Sequence, residues 1–464
     1  MNTKDLLRLG VPLGEATRRA TDFISKFCLS GGDRTRLHEE VEAIVRNPAT
    51  FADAPLRGEF AKALLAAPPP PRAEPATYHQ WGEGLEHEAV MQMEKACLLP
   101  VTVAGALMPD AHVGYGLPIG GVLGTDNAVI PYAVGVDIAC RMKMTVLDLR
   151  LNDLEKRPDR FVRAIAAETR FGVGSTFQQR RQHEVLDADW SVSPVTRQNQ
   201  DRAWAQLGTS GSGNHFVEFG TFTVLDRAVG LEPGEYVALL SHSGSRGTGA
   251  AVCDYYSKLA VSKHPELPSE LKRLAWLSLD TAEGQEYWAA MELMGRYAAA
   301  NHALIHRHIA AHLSAQVLLD LENHHNFAWK ERHLINGLER ELIVHRKGAT
   351  PAGEGVLGII PGSMASPGFV VRGRGNAESL KSAAHGAGRC MSRTQAEKTL
   401  SWKEANAVLR QRGVTLISAG LDEVPMVYKD IHQVMAAQAD LVEVLGRFDP
   451  KLVKMAPHGE RPED

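Results

Sequence analysis

The residues best suited to chemistry lie in a short turn, Ser382–Arg389, which reads Ser-Ala-Ala-His-Gly-Ala-Gly-Arg. His385 has only small neighbours on its C-terminal side, so a phosphate can approach its ring closely. Backbone N–H groups of such a turn can face the anion, and Arg389 can pair with it. The turn therefore indicates a histidine that acts on or beside a phosphate, although a His-Gly pair is also common in plain turns.

A second feature is an acid followed closely by a thiol. Asp137 and Cys140 lie in the run Gly-Val-Asp-Ile-Ala-Cys. A hard oxygen and a soft thiolate together suit a borderline divalent ion such as Mn²⁺, Zn²⁺ or Fe²⁺. The alternative interpretation is a buried structural cysteine beside a capping aspartate.

Further histidines follow the same pattern, each within a polar or glycine-rich segment. Metal sites need imidazole, thiolate and carboxylate groups that converge from separated segments, and this chain offers all three types. Each histidine taken alone is more often a hydrogen-bonded or solvated side chain, but the set together predicts a metal site. The segments are Leu207–Glu218 with His215, Ser241–Gly247 with His242, Asn323–Asn326 with His324 and His325, and His345–Thr350.

Two other phosphate-handling signatures are missing from the sequence. It contains no Gly-Lys-Ser/Thr phosphate loop and no Lys-x-Asp-Gly motif, the mark of ligases that carry a nucleotide on lysine. If the protein activates a phosphate with a nucleotide, the covalent carrier must be another residue.

The elements that position these residues indicate an α+β body with mixed sheets. The segment from about Glu286 to Leu321 predicts a long helix or helix pair, with its histidines on the helix surface. Those histidines are His302, His306, His308 and His312. Strands are predicted at Val101–Ala104, Lys143–Leu147, Tyr236–Leu240 and Glu341–His345.

The chain divides into three parts by composition. Residues 1–66 predict a helical N-terminal region, because apolar residues recur at the spacing of one helix face. Residues 67–76 predict a stiff proline-rich linker, and residues 77–464 the catalytic domain. The helix-face residues are Leu37, Val41, Ile44 and Val45.

Bulk properties exclude some classes of protein. The net charge of −4 supplies no global positive field, so a nucleic acid would have to bind in a local basic cleft. No apolar run reaches the roughly 18 residues of a membrane span, and no secretory signal precedes the first helix. The five cysteines form no CxxC pair, which favours free thiols in a reducing compartment. We expect a cytoplasmic protein with no membrane association.

From about Leu107 to Lys454 the sequence resembles the RtcB family of GTP- and Mn²⁺-dependent RNA ligases. The motifs that carry the resemblance occur in family order. They are Pro-Asp-Ala-His-x-Gly-Tyr-Gly from Pro109, Gly-Ser-Gly-Asn-His-Phe to Phe216, His-Ser-Gly-Ser-Arg-Gly from His242, His-Arg-Lys-Gly-Ala-Thr from His345, Pro-Gly-Ser-Met from Pro361, His-Gly-Ala-Gly-Arg from His385, and Asp422-Glu423-x-Pro425.

The resemblance implies an RtcB-like catalytic body that joins RNA 2′,3′-cyclic phosphate or 3′-phosphate ends to 5′-hydroxyl ends. It implies that His385 is the nucleophile guanylylated by GTP, beside two Mn²⁺ ions. One ion would be held by Cys140, His242 and His325, and the other by Asp137, Cys140 and His215. The guanylate would be contacted by Asn214, Glu218, Ser363, Gly386, Ala387, Gly388, Arg389 and Lys454, and candidates for RNA phosphate contacts are Arg246, Arg346, Lys347 and Arg393.

The sequence departs from the family pattern at a few positions. Many relatives read Asp-x-Asn-Cys-Gly where this chain has Arg141 in place of the glycine, and Gly368 falls where a hydroxyl residue is expected. Val113 also replaces a commonly aromatic residue. The resemblance implies a role in RNA repair or tRNA splicing, and these departures favour a divergent paralogue that repairs damaged tRNA or ribosomal RNA rather than one that removes introns. Two other functions remain as alternatives, a metal-dependent cyclic phosphodiesterase and a non-catalytic RNA-end binding protein, and any activating partner is unknown.

Overall fold

The computed structural model describes residues 1, 3–12, 15–66 and 75–461. Up to residue 66, all of the described regular structure is helical. Phe23 and Phe60 stack there at 6.0 Å in a hydrophobic core that belongs to these helices alone. The predicted linker at 67–76 falls largely on residues 67–74, which lie outside the described residues. The helices are α1 Thr3–Arg8, α2 Glu15–Leu29, α3 Leu37–Arg46, α4 Pro48–Phe51 and α5 Gly58–Leu65.

The remaining helices pack around the sheets of the body, and many begin at a side-chain cap. Ser193 accepts a hydrogen bond from the Thr196 N–H, and Thr281 accepts one from the Gly284 N–H, so each satisfies a free donor of its helix. The helices are α6 His87–Cys97, α7 Pro131–Val134, α8 Leu151–Lys156, α9 Pro158–Glu168, α10 Pro194–Gln206, α11 Arg246–Lys263, α12 Ala282–His312, α13 Arg393–Thr399, α14 Trp402–Arg412 and α15 Ile431–Ala436.

The strands of the described residues form two main sheets and two small ribbons. Three predicted strands lie wholly within β5, β7 and β11, and the fourth lies within β2 except for Val101; the α+β body with mixed sheets is confirmed. The strands are β1 Tyr78–Gln80, β2 Thr102–His112, β3 Ile119–Thr125, β4 Ala128–Val129, β5 Arg141–Leu147, β6 Phe216–Val224, β7 Gly234–Ser243, β8 Leu277–Ser278, β9 Val317–His324, β10 Asn326–Ile335, β11 Leu338–Lys347, β12 Ala349–Pro351, β13 Leu357–Ile360, β14 Gly368–Gly373, β15 Ser382–Ala384, β16 Thr415–Ser418 and β17 Val442–Met455.

The larger sheet has the strand order β13-β14-β17-β6-β7-β5-β9, and β16 pairs with β17. The neighbours β6, β7, β5 and β9 are all antiparallel, so the start of β6, the end of β7, the start of β5 and the end of β9 meet at one edge. The residues at that edge are His215, His242, Cys140 and His325.

The smaller sheet has the order β1-β2-β3-β11-β10, and the strand that follows it positions His385. Strand β12 follows directly from β11 and pairs with β15, with Ala349 opposite Ala384. His385 comes immediately after β15, beside Gly348, which has φ of +59°. A Cβ on Gly348 would lie 2.3 Å from Ile119 Cγ2 and 3.1 Å from His385 Cε1, so this close approach requires glycine.

One prediction of the extent of a helix was wrong. The helix expected from Glu286 to Leu321 ends at His312 as α12, and Val317–Leu321 belongs to β9. Ser314 adopts φ of +49° just beyond the helix, and β9 then pairs with β5. A short apolar run does not reveal from its periodicity whether it continues a helix or begins a strand, and here pairing with β5 decides.

Candidate metal and nucleotide site

The turn that carries Asp137 and Cys140 is fixed by backbone hydrogen bonds to the segment opposite. The Ala139 N–H donates to the Asn326 carbonyl at 2.7 Å, and the His325 N–H donates to the Cys140 carbonyl at 3.0 Å. Ala139 itself has φ of +58°, a left-handed conformation that costs a residue with a Cβ about 1–2 kcal/mol. The thiol and His325 are therefore held in a constant relation by the backbone.

Two groups of possible ligands share the thiol of Cys140. Cys140, His242 and His325 form one group, and Asp137, Cys140 and His215 form the other. Within each group the ligand atoms lie within 4.8 Å of one another, and all five residues are buried. Cys140 Sγ lies 3.1 Å from His242 Nε2 and 3.4 Å from His215 Nε2. The structure thus brings together the five residues that the sequence comparison with the family implied.

Several possible ligand atoms in this cluster lie next to one another instead of next to ordinary hydrogen-bond partners. His242 Nε2 and His325 Nε2 are 3.2 Å apart, and His325 Nδ1 is buried with no hydrogen-bond partner among the described residues. A buried polar group without a partner costs about 1–3 kcal/mol, so such an arrangement calls for a bound species. Nitrogen, thiolate and carboxylate donors around one point fit a borderline divalent cation.

The electrostatics of the cluster suit a cation as well. Burial lowers the pKa of His242 to about 3 and that of His325 well below its ordinary value, so both rings are neutral and offer lone pairs. Burial raises the pKa of Asp137, but the hydrogen bond from His215 and the positive charge of Arg246 outweigh it and keep the carboxyl ionised.

Neighbouring groups orient these ligands. His242 Nδ1 donates to the Asn214 carbonyl at 3.1 Å, which leaves Nε2 free to bind. Arg246, predicted to contact RNA phosphate, is buried with Nη2 3.0 Å from His215 Nδ1, so it lies behind the ligands. Gly244 lies against Asp137, where a Cβ would come within 2.0 Å of Oδ2. The positions of the carboxylate and of His215 therefore depend on the β7–α11 turn.

His385 is held beside this cluster by Asp110, to which the sequence analysis gave no role. His385 Nδ1 donates to Asp110 Oδ2 at 2.7 Å, and the His385 backbone N–H donates to the same oxygen at 3.2 Å. Because the proton is on Nδ1, the lone pair is on Nε2, as a nucleophile requires. The His385 ring centre is 4.9 Å from that of His325. The one available signal in the sequence was an acidic residue within the otherwise apolar run 103–111 of β2.

A single pocket joins the metal-type ligands to most of the predicted nucleotide contacts. Burial raises the pKa of Glu218 well above its ordinary value. Gly388 adopts φ of +73° against the Asp110 carbonyl, where a Cβ would lie 2.1 Å away. Predicted contacts that line the pocket are Asn214, Glu218, Ser363, Gly386, Ala387, Gly388 and Arg389.

Lys454 does not line that pocket, although its chain neighbours Val453 and Met455 do. Its Nζ donates to Thr169 Oγ1 at 3.2 Å and lies 5.5 Å from the centre of the Phe171 ring. The structure therefore places Lys454 behind the wall that a nucleotide would touch.

The remaining phosphate candidates fall in two different environments. Arg346 is buried with a bidentate pair to Glu331 at 2.7 and 3.0 Å, a placement that does not fit a contact with RNA. Lys347 and Arg393 instead line a second pocket beside the first. Burial lowers the pKa of Lys347 to about 7, and its Nζ donates to the Tyr115 carbonyl.

The prediction that the histidines of α12 lie on its surface was wrong for one pair. His302 and His306 are buried, and both share the hydroxyl of Ser241 at 2.8 Å. His308 and His312 are partly exposed and lie 3.9 and 3.2 Å from Glu168. The four-residue spacing is the same for both pairs, so only the face that packs on the sheet separates them.

Among the described residues, no helix is both long and apolar enough to span a bilayer.

Comparison with known proteins identifies a family to which this sequence is similar. The model of the family described as tRNA-splicing ligase RtcB matches residues 92–201 and 188–455. The chain belongs to the RtcB family.

Curated relatives agree with the RtcB match. The chain is 34% identical over 413 residues to the RNA-splicing ligase RtcB of Escherichia coli K12, which covers 80% of this chain and 95% of the relative. It is 33% identical to the tRNA-splicing ligase RtcB of Archaeoglobus fulgidus, over 74% of this chain and 86% of the relative. For the enzyme of the same name from Nanoarchaeum equitans the identity is 31%, over 79% and 91%.

The departures from the RtcB pattern have different consequences. Arg141 is buried and donates to Glu322 at 3.1 Å and to the Gly295 carbonyl at 3.1 Å, outside the lining of the pocket that contains the ligand cluster. Gly368 does line the pocket, and a Cβ there would lie 3.3 Å from Pro361 Cα. The added cation therefore leaves the ligand cluster clear, whereas the missing hydroxyl alters the wall of the pocket itself.

Proposed function

We propose that this protein is a GTP- and Mn²⁺-dependent RNA ligase that works through a guanylylated His385. It would join RNA ends with a 2′,3′-cyclic phosphate or 3′-phosphate to 5′-hydroxyl ends, in tRNA splicing or RNA repair in the cytoplasm. The observation that carries the proposal is the position of His385, with Nε2 free, next to two ligand groups that share Cys140. Membership of the RtcB family and the names of its relatives support the same activity.

In this proposal one Mn²⁺ would be held by Cys140, His242 and His325. The second would be held by Asp137, Cys140 and His215. Bound there, the ions would supply positive charge that polarises the phosphates and stabilises the charge that develops on them. The protein's own part is to hold the ligands neutral or ionised as required and to exclude water from a buried cluster.

The first step is nucleophilic. His385 Nε2 attacks the α-phosphate of GTP, a bond from nitrogen to phosphorus forms, and pyrophosphate leaves. Asp110 keeps the Nδ1 proton in place and stabilises the positive charge that the ring acquires. Of the predicted guanylate contacts, Asn214, Glu218 and Ser363 are supported by their place in the lining of the pocket.

The following steps transfer the guanylate and then release it. An RNA 3′-phosphate oxygen attacks the phosphorus on His385, which regenerates the free ring. The RNA 5′-hydroxyl then attacks the activated 3′-phosphate, a phosphodiester forms, and GMP leaves. A cyclic phosphate is first opened by water to the 3′-phosphate.

The test uses GTP labelled on the α-phosphate together with Mn²⁺. We expect an adduct that is labile to acid and stable to base, as a phosphoramidate should be. His385→Ala should abolish the adduct with Mn²⁺ content unchanged, whereas His79→Ala, at an exposed histidine far along the chain, should retain it.

Two outcomes would favour the alternative functions. Opening of cyclic phosphate ends without any adduct would indicate a metal-dependent phosphodiesterase, since that reaction needs the ligand cluster but not His385. Binding of RNA ends with neither reaction would indicate a non-catalytic end-binding protein. The pairing of partly exposed His385 with buried Asp110 favours the ligase, because neither alternative needs a nucleophilic imidazole.

A further inference from the structure

Two segments outside the strands position one pair of ligands. The loop of residues 207–213 leads from α10 toward His215. The turn of residues 244–245, between β7 and α11, holds Asp137, because the Ser245 N–H donates to Asp137 Oδ1 at 2.8 Å. His215 Nε2 and Asp137 Oδ2 lie 3.1 Å apart. The spacing of these two ligands therefore depends on how the 207–213 loop and the 244–245 turn are joined.

A buried amide on α12 joins the loop to the turn. Asn301 is fully buried, and its Oδ1 accepts a hydrogen bond from the Gly208 N–H at 2.8 Å. Its Nδ2 donates to the Gly244 carbonyl at 2.9 Å. These partners define the orientation of the amide, since a backbone N–H only donates and a carbonyl only accepts. Movement of either segment would leave a buried polar group without its partner.

Each end of this bridge lies close to a ligand along the chain or in space. Gly208 has φ of +76° and begins the turn of the loop toward His215. Gly244 lies against the Asp137 carboxylate, and the next residue of the turn donates to that carboxylate. A shift at Asn301 would therefore reach both Asp137 and His215 through the backbone.

We infer that Asn301 is a positioning residue for the second metal ion, the one assigned to Asp137, Cys140 and His215. The inference rests on the proposed function and deepens it. The two hydrogen bonds of Asn301 go to backbone groups rather than to the ligands, so it acts through the loop and the turn.

The first ion should depend on Asn301 less. Cys140 and His325 are joined by their own backbone hydrogen bond at 3.0 Å. His242 lies within β7, where it pairs with Met142 of β5. Strand pairing therefore fixes the group of Cys140, His242 and His325 independently of the amide on α12.

The expected effect is limited, because the loop and the end of β7 are also joined beside the turn. The Ser243 hydroxyl donates to the Ser210 carbonyl at 2.9 Å. Loss of a group that supports a metal ligand from outside typically lowers metal affinity 10–100-fold. For Asn301 we expect a loss of about 10-fold, the lower end of that range.

The experiment is titration of metal-free protein with Mn²⁺, with bound ions counted by equilibrium dialysis. Wild-type protein should bind one ion per ligand group. Asn301→Leu keeps a similar volume but removes the amide, and it should weaken one ion about 10-fold while the other changes less than about 3-fold. Asn301→Ala removes the same amide with less bulk, and it gives the measurement if the leucine variant does not fold.

Variants of the ligands identify which ion is affected. His325→Ala removes a member of the first group only, so Asn301→Leu should weaken the ion that remains about 10-fold. His215→Ala removes a member of the second group only, and there Asn301→Leu should change the remaining ion less than about 3-fold. Equal losses in the two backgrounds would overturn the inference, because they would indicate a general loosening of the fold.

A matched control is Tyr297→Phe, also at a buried position of α12. The Tyr297 hydroxyl donates to the Ala203 carbonyl at 2.7 Å, outside the loop and the turn. Removal of this buried hydrogen bond should leave both ions at wild-type affinity. Weaker binding of an ion in Tyr297→Phe, or unchanged binding in folded Asn301→Leu or Asn301→Ala, would overturn the inference.

Failure of the proposed function would look different. Wild-type protein that binds both ions but forms no adduct with GTP would refute the ligase, and the dialysis would still test Asn301. Wild-type protein that binds fewer than two ions would refute the proposed metal site and the role of Asn301 together.

Discussion

The ligand cluster and the sheet-facing side of α12 both contain buried histidines, but they satisfy them differently. His302 bonds through Nδ1 to the Ser241 hydroxyl and through Nε2 to the Ser243 carbonyl, at 2.8 and 3.0 Å. Each nitrogen of His306 also has a hydroxyl partner, on Thr145 and Ser241. In the cluster, by contrast, the histidine nitrogens converge on the thiol of Cys140 and on one another.

Burial alone therefore does not distinguish a structural histidine from a ligand. It lowers the pKa of the ring in both regions. The difference is that the α12 histidines complete a hydrogen-bonded layer between helix and sheet, whereas in the cluster His325 Nδ1 has no hydrogen-bond partner among the described residues. A satisfied layer stabilises the fold by itself, and a convergent set of nitrogen, thiol and carboxylate groups could hold a metal ion.

The largest expected effect comes from the shared thiol. Cys140→Ser should lower the affinity for Mn²⁺ at least about 100-fold, because both ligand groups lose their common member. Even the mutation of a residue that only hydrogen-bonds to a ligand typically lowers metal affinity 10–100-fold. Metal content after equilibrium dialysis is the measurement. Cys28→Ser, in the N-terminal helices, should retain full occupancy. Unchanged occupancy in Cys140→Ser would remove that residue from the ligand groups.

Substitutions in the hydrogen-bonded layer between α12 and the sheet should change the stability of the fold rather than metal binding. His302→Ala should lower the free energy of unfolding by about 3 kcal/mol, since it leaves the Ser241 hydroxyl with fewer partners and opens a cavity. His308→Ala, on the partly exposed face of the same helix, should change it by less than about 0.5 kcal/mol. Urea unfolding of both variants gives the values. Equal effects would show that the two faces of α12 are not different in kind.

The distinction between these regions was only partly predictable from the sequence. Motifs indicate which segments carry ligand-type side chains, and their strands explain why the ends meet at one sheet edge. The role of Asp110 depends on a contact with His385 across 275 residues, which no local pattern reveals. The burial of His302 and Arg346 was missed for the same reason, because helix spacing and a run of basic residues look alike whether they face solvent or a sheet.

Acid should weaken the α12 layer through the same histidines. Burial holds the pKa of His302 well below its ordinary value, so the folded protein keeps the ring neutral while the unfolded chain takes up a proton below about pH 6.5. The stabilisation is present above that pH and is lost as the pH falls, by about 2 kcal/mol at pH 5 for this one residue.

The measurement is urea unfolding of metal-free protein at pH 7 and pH 5. In His302→Gln the difference in stability between the two pH values should shrink by about 2 kcal/mol. His308→Gln should change that difference less. Burial also lowers the pKa of His308, but its side chain is partly exposed and can take up a proton in the folded protein more easily. An undiminished pH dependence in His302→Gln would show that other groups govern acid unfolding.

The smallest effect tests whether the ligand turn is strained. Ala139 has φ of +58°, where glycine is unhindered, so Ala139→Gly should relieve about 1–2 kcal/mol of steric cost. Glycine also has greater conformational freedom in the unfolded chain, which destabilises the folded state by about 0.5–1 kcal/mol. The net result is a folded state more stable by about 0.5 kcal/mol. Ala133→Gly, in the short helix α7, should instead destabilise by about 1 kcal/mol. A loss of stability in Ala139→Gly would mean that the turn fits alanine and is not strained at this position.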